Sequence, residues 1–265
     1  MAAPGVVNVR SERLRVLRLR LVIIAGVLLL WQAVALSGLL FRDVVPGLGA
    51  IATALSRLLG SHDFYANLAV TLAEIGGALA IGGVAGVLTG LLLGANRLLS
   101  RAYEPFVYYL GPTPKIIFFP IMIMWFGVGS GSKVAMGALS CFFPIAISIA
   151  AGMRQIEPVL VRVGRSFRAS PLQMTTKIYL PAMRLPIVNG VRLGLGIAII
   201  GTLLAETKLS NKGLGYLIIQ AYSLFDMPKM YALLIVLFVI AIGANALIGR
   251  LARRHARIAD RGATT

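Results

Sequence analysis

The chain has one cysteine, two histidines and nine acidic residues in 265 positions, and each shortage removes a class of chemistry. Cys141 stands alone in an apolar run, so neither a disulfide framework nor a thiolate metal site is available, and it reads as a small interior residue. His62 and His255 both fall outside the apolar runs, which leaves no base inside a span to serve an intramembrane nucleophile. No stretch has the Gly-x4-Gly-Lys-Ser/Thr form, so the chain carries no phosphate-binding loop with which to hydrolyse ATP. The turn Gly127 to Gly131 is not a serine-hydrolase elbow, because Val128 stands where the glycine before Ser130 would be required. No catalytic, cofactor-binding or metal-ligating residues are assigned.

What remains is apolar. Hydrophobic residues make up 58% and charged residues 13%, and the mean hydropathy is +0.87. This composition matches an all-α, polytopic membrane protein rather than a soluble domain. Six runs are read as transmembrane helices, over residues 21–40, 67–95, 103–126, 133–153, 185–205 and 230–248. They define a membrane domain, 21–250, between a basic segment, 1–20, and a basic tail, 251–265. The first run follows basic residues as a secretory signal would, but it is about twenty residues long and lacks a small-residue cleavage site.

The formal charge of +17 is a matter of placement. Most Lys and Arg fall on one face: Arg10 to Arg20, Arg97 and Arg101, the cations from Arg154 to Arg184, and the tail. The positive-inside rule then puts both termini and the segment 154–184 in the cytoplasm of a bacterial cell, with the spans in its inner membrane. No aromatic or motif context accompanies the charge, so nucleic acid is not a partner; membrane lipid is.

Along the chain, residues 42–65 are amphipathic, and Ile51, Leu55 and Leu58 predict a helix along the membrane surface. Gly82, Gly86, Gly90 and Gly94 recur every four residues, a smooth face for close helix approach or for lining a path. Pro112, Pro114 and Pro120 predict a kinked or broken third span, and broken helices occur at membrane depth where they are buried or line a wet cavity. Lys115 sits at this break, so Pro112, Pro114 and Lys115 are candidates for a translocation path, against snorkelling or pairing with a carboxylate for Lys115. Arg192 is read as snorkelling to the interface. The apolar stretch Leu214 to Ala221 is too short to span and is expected on or in the outer leaflet surface. Glu74, Glu104 and Glu206 lie near span ends and receive no role.

The stretch Arg154 to Pro186 is the most informative. Glu157-Pro158 reads as a helix start, with Val159, Val163 and Phe167 on one face. Ser170-Pro171 reads as a second start, with Ser170 as N-cap, and Leu180-Pro181 as its end. Two short helices with a sharp corner near Arg168 to Ser170 predict a docking element outside the bilayer.

The segment GPTPKIIFFPIMIMWFGVGSGSK, the run RSFRASPLQMTTKIYLPAMRLPI and the later GLGYLI resemble the permease subunits of bacterial ATP-binding-cassette importers of the nitrate, sulfonate and taurine group, over roughly residues 45–248. The resemblance implies a type I importer permease fold, with 21–250 as the permease domain. The family's cytoplasmic motif is Glu-Ala-Ala, three residues, Gly, nine residues, Ile-x-Leu-Pro. Ile178, Leu180 and Pro181 match its end, which places its glycine at Arg168 and its Glu-Ala-Ala at Arg162, Val163 and Gly164. The glycine would suit a left-handed corner, where any other residue costs about 1–2 kcal/mol. The implied ATPase-coupling residues are Arg162, Val163, Gly164, Arg165, Ser166, Phe167, Arg168, Ala169, Ser170, Pro171 and Leu172, and the reversed charge at Arg162 calls for a matched, acidic ATPase cleft.

The resemblance also implies the assembly. Two permease copies, here a homodimer, form the path; two ABC ATPase subunits consume the ATP; a periplasmic solute-binding protein delivers a small solute, an organic or inorganic anion of the sulfonate, taurine or nitrate type. No cofactor is bound by this chain. An ion-coupled secondary transporter without an ATPase is the alternative, although the broken third span has no counterpart elsewhere in the chain. A purely structural membrane subunit is the third reading.

Overall fold

The computed structural model describes residues 9–38 and 44–262, and within these the side chains of 9–11, 13 and 251–262 are outside the description. Arg42, the end of the first expected span at 39–40, and the side chains of Arg10, Arg13, His255 and the tail arginines beyond Arg250 therefore lie outside the described residues.

Glycine spacing dictates how the middle of the molecule is built. Helix α3 (His62–Ala95) and helix α6 (Ser130–Arg154) run parallel in close contact. A Cβ on Gly82 would lie 2.3 Å from the Ala138 carbonyl oxygen, one on Gly86 2.9 Å from that of Phe142, and one on Gly90 2.6 Å from Ile149 Cβ. Each step of four along α3 meets a step of about four along α6, as small-residue helix packing requires. Helix α10 (Arg184–Lys208) packs antiparallel on the other side of α6. Gly190, Gly194 and Gly201 meet Ser148, Ile145 and Ser140 in turn, and Gly152 of α6 meets Pro186. The four-residue glycine repeat thus serves helix packing. Gly196 of α10, by contrast, has no neighbour within 4 Å.

The remaining helices dress this three-helix core. Helix α1 (Val9–Ser37) exposes its apolar residues from Leu14 to Leu30 and touches the rest near its end. There Trp31 Nε1 donates to the Pro46 carbonyl at 3.1 Å, Gln32 Oε1 accepts from the Leu48 amide at 3.0 Å, and Trp31 meets Tyr231 edge-on. Helix α2 (Leu48–Leu59) buries Ile51 and Leu58 as its amphipathic pattern predicts. Helix α3 begins five residues earlier than expected, at His62, and Asn96 alone separates it from α4 (Arg97–Leu110). Arg97 and Arg101 lie in α4 itself, which Asn96 caps, its Oδ1 accepting from the Leu98 and Leu99 amides.

The third span is broken more sharply than a kinked span would be. Helix α4 ends at Leu110, a 3-10 turn covers Lys115–Phe118, and α5 (Phe119–Phe126) leaves at 93° to α4. Among the described residues, five single helices are long and apolar enough to cross a membrane, and the bent pair makes a sixth span if counted as one. Phe119, Met136 and Ala205 form a small core that pins the break against α6 and α10, with Ile116, Met122 and Ile123 around it.

Helix α11 (Leu214–Ser223), too short to span as its sequence indicates, buries Leu214, Leu217 and Ala221 in a cluster with Phe64, Ile75, Leu203 and Leu233. Helix α12 (Met227–Gly262) closes the chain. Arg192 does not simply reach for the interface: its Nε donates to Asn245 Oδ1 of α12 at 2.9 Å.

Candidate functional site

Between α6 and α10 the chain leaves the core for the segment 154–184. Glu157 precedes Pro158, which opens α7 (Pro158–Ser166) at the first helical position. The helix then stops in a Schellman turn. The Arg168 amide donates to the Arg165 carbonyl at 2.9 Å, and the Ala169 amide to that of Gly164 at 3.0 Å. This geometry requires a left-handed residue, and Arg168 occupies it at φ 51°. The left-handed corner inferred at the family's glycine position is therefore present, with arginine in it.

The next helix starts as Ser170 directs. Ser170 Oγ accepts from the Gln173 amide at 3.3 Å and Gln173 Oε1 accepts from the Ser170 amide at 2.9 Å, a reciprocal cap. Helix α8 (Pro171–Gln173) continues through a π-helical turn, Met174–Tyr179, into α9 (Leu180–Ala182). Leu180-Pro181 was expected to end this helix, but the wider turn accommodates the proline ring and missing amide, and the break comes at Met183. Gly164 packs the two short helices together: a Cβ there would lie 2.3 Å from Ile178 Cδ1 and 2.6 Å from Met174 Sδ.

The outer face of this segment is apolar in a cationic frame. Phe167 is 83% and Leu172 73% exposed, with Val159 and Val163 beside them, and Arg162, Arg165 and Arg168 are exposed around them. Ser166, Ser170 and Pro171 are exposed as well, Ala169 is half-buried and Gly164 buried. A large apolar side chain so fully presented on a polar segment marks an interaction surface. At the foot of the segment, Arg154 Nη1 lies 2.7 Å from the Glu104 carboxylate, tying the end of α6 to α4.

The break in the third span holds the other candidates. Pro112 and Pro114 are exposed and Lys115 is half-buried. The Lys115 ammonium donates to the Gly111 and Thr113 carbonyls and sits 5.1 Å from the centre of the Phe143 ring. It thus serves carbonyls freed by the break, a role that neither snorkelling nor a carboxylate partner describes.

A third constellation was not legible as a site. Lys133, in the first turn of α6, is fully buried, and so are Glu74 and Glu206. Glu206 Oε1 accepts from Thr71 Oγ1 at 2.7 Å and Oε2 from the Gly215 amide at 2.6 Å. Thr71 Oγ1 in turn accepts from the Leu214 amide at 2.8 Å, and Asn67 Oδ1 from that of Gly213 at 2.7 Å. The first turn of α11 is therefore held by side chains of α3 and α10. Glu74 Oε2 has no hydrogen-bond partner, and the Lys133 ammonium donates to the Val128 carbonyl. The available sequence signal was an ionisable residue in each of three apolar helices at matching depth, which only their parallel and antiparallel packing brings together.

Comparison with known proteins bears on the whole chain. The sequence pattern of the family described as binding-protein-dependent transport system inner membrane component matches residues 82–257. A probable ABC transporter permease protein of Haemophilus influenzae is 31% identical over 225 residues, covering 84% of this chain and 90% of that protein. The taurine transport system permease protein TauC of Escherichia coli is 27% identical, covering 89% of each. A putative aliphatic sulfonates transport permease protein of Bacillus subtilis is 28% identical over 89% of this chain. In structure, the chain is similar to the inward-facing MetNI methionine ABC transporter at a TM-score of 0.64, with 22% identity over 70% of this chain and 92% of that one.

Proposed function

The chain belongs to the family of binding-protein-dependent transport system inner membrane components, and on that premise we propose that ATPase subunits drive it through the segment 154–184 to move a small anion. It is the permease subunit of an ATP-binding-cassette importer, a multi-pass protein of the inner membrane that works with ATPase and solute-binding partners.

The exposed Phe167 and Leu172, framed by arginines on two short helices joined by a tight corner, are the observation that carries the docking reading. Two ATPase subunits seat on two copies of this segment in a homodimer, with both termini on the same, cytoplasmic side, and their closure rotates the helices joined to it. An acidic cleft on the ATPase matches Arg162, Arg165 and Arg168. Co-expression with its ATPase subunit tests this: the ATPase co-purifies with the wild type and is lost with Phe167→Asp, and equal recovery from both removes the segment from the interface.

For the solute, relatives named for taurine and aliphatic sulfonates support an anion. Lys115, at the break with Pro112 and Pro114, supplies the counter-charge on the path between the two copies.

A further inference from the structure

One stripe of α10 faces away from the core. Leu185, Asn189, Arg192, Gly196 and Ile200 recur at steps of three and four, and all are exposed. In a membrane span such a stripe meets lipid or another protein, and polar residues on it mark a site. Arg192 is not at the helix end: it lies about 12 Å along α10 from Arg184, the residue where the helix leaves the segment 154–184.

Its side chain is held in place. Arg192 Nε donates to Asn245 Oδ1 of α12 at 2.9 Å, and Gly249, one turn further along α12, offers bare backbone to the guanidinium. A Cβ on Gly249 would lie 3.7 Å from Arg192 Cζ and 3.8 Å from Nη1. The fork is therefore seated between Asn245 and Gly249, toward the end of α12 at which Arg250 is exposed. Its Nη groups have no hydrogen-bond partner among the described residues, and neither has the Asn189 side chain. Arginine keeps its charge in any protein setting, so these donors call for an anion. The carboxylates within the spans are committed elsewhere, Glu74 and Glu206 being buried and Glu104 meeting Arg154.

We propose that Asn189, Arg192 and Asn245 form a site for the phosphate of an anionic phospholipid in the leaflet adjoining the segment 154–184. Asn245 fixes the guanidinium, and Arg192 and Asn189 meet the phosphate oxygens. With Nε occupied, the two Nη groups are left to donate side by side, the geometry that a phosphate accepts. Arg184 and Arg250, both exposed, add positive charge at the same end of the two helices, which favours an anionic over a zwitterionic headgroup. Gly196, with nothing within 4 Å, leaves a notch on the bilayer-centre side of Arg192 where an acyl chain settles. A phosphate held in this way braces α10 against α12, whether or not an ATPase docks on the neighbouring segment.

The test uses the full-length permease in nanodiscs of mixed phosphatidylcholine and phosphatidylglycerol, reading by native mass spectrometry the lipid retained after transfer to mild detergent. The wild type is expected to keep phosphatidylglycerol in preference to phosphatidylcholine. Arg192→Met lowers that retention about tenfold and Asn189→Leu about fivefold, the scale of hydrogen bonds lost to a charged group. Arg192→Lys, which keeps the charge without the fork, falls between the wild type and Arg192→Met. Asn189→Leu removes an amide with no partner in the chain, so it decides the matter if Arg192→Met does not insert. Arg101→Met, which removes an exposed cation of α4, is expected to change nothing. An equal loss from Arg101→Met would reduce the preference to the general attraction of basic residues for the leaflet. Equal retention of both lipids by the wild type would mark an ordinary annular lipid only. Unchanged retention with loss of the dimer in Arg192→Met would assign the surface to a second copy of the chain. Each of these three results overturns the site.

Discussion

The Ala169 amide reaches back across the corner of the coupling segment to the Gly164 carbonyl at 3.0 Å, and the turn it closes puts Arg168 in a left-handed conformation. The corner sets the angle between α7 and α8, and hence the direction in which Phe167 and Leu172 are presented.

Relief of this strain is measurable. Arg168→Gly is expected to gain up to about 1 kcal/mol, since only glycine adopts this conformation without steric cost. Arg168→Val, with its branched Cβ, loses stability by a similar amount. Thermal unfolding in detergent orders the three proteins Gly, Arg, Val from most to least stable; a glycine protein no more stable than the wild type contradicts the strain.

The glycine seam between α3 and α6 separates two glycines of the same helix. Gly82→Val forces a side chain onto the Ala138 carbonyl and Cys141 Sγ, 2.3 and 2.6 Å from where its Cβ would stand, and is expected to destabilise by about 3 kcal/mol or to prevent insertion. Gly76 has no neighbour within 4 Å, so Gly76→Ala stabilises the helix by about 0.5–1 kcal/mol. The folded yields of the two variants check this contrast.

How much of this was readable without coordinates depends on whether the signal was local. The proline and serine caps at Pro158, Ser170 and Pro171, and the corner at Arg168, follow from neighbouring residues and matched the structure. The end assigned to Pro181 did not, because a π-helical turn absorbs a proline without any mark in the sequence. That α11 is too short to span was legible; its anchoring was not, because it depends on amide contacts to Asn67, Thr71 and Glu206, from 9 to 146 positions away. The burial of Lys133, whose ammonium donates to the Val128 carbonyl just before its own helix, likewise has no mark in the neighbouring residues.

The Arg154–Glu104 pair is a weaker device. With 45% and 15% side-chain exposure, it is expected to contribute about 0.2–1 kcal/mol and to fade in high salt. A double-mutant cycle with Glu104→Gln and Arg154→Gln on thermal unfolding, at low and high ionic strength, measures it.

At the break, charge and geometry separate by substitution. With taurine and an alkanesulfonate as probes in proteoliposomes, Lys115→Met is expected to lower uptake about tenfold, the scale of one lost charge interaction. Lys115→Arg retains part of it. Equal losses in both would assign Lys115 to holding the Gly111 and Thr113 carbonyls, with no part in meeting the solute.

The most direct test of the coupling segment is where the ATPase touches the permease. A photo-cross-linking amino acid is placed in turn at Phe167, at Leu172 and, as a control, at Tyr222, 59% exposed on α11, and the membranes are irradiated with the ATPase co-expressed. Phe167 and Leu172 are expected to cross-link to the ATPase, and Tyr222 is not. Cross-links from Tyr222, or none from either position on the segment, would contradict it.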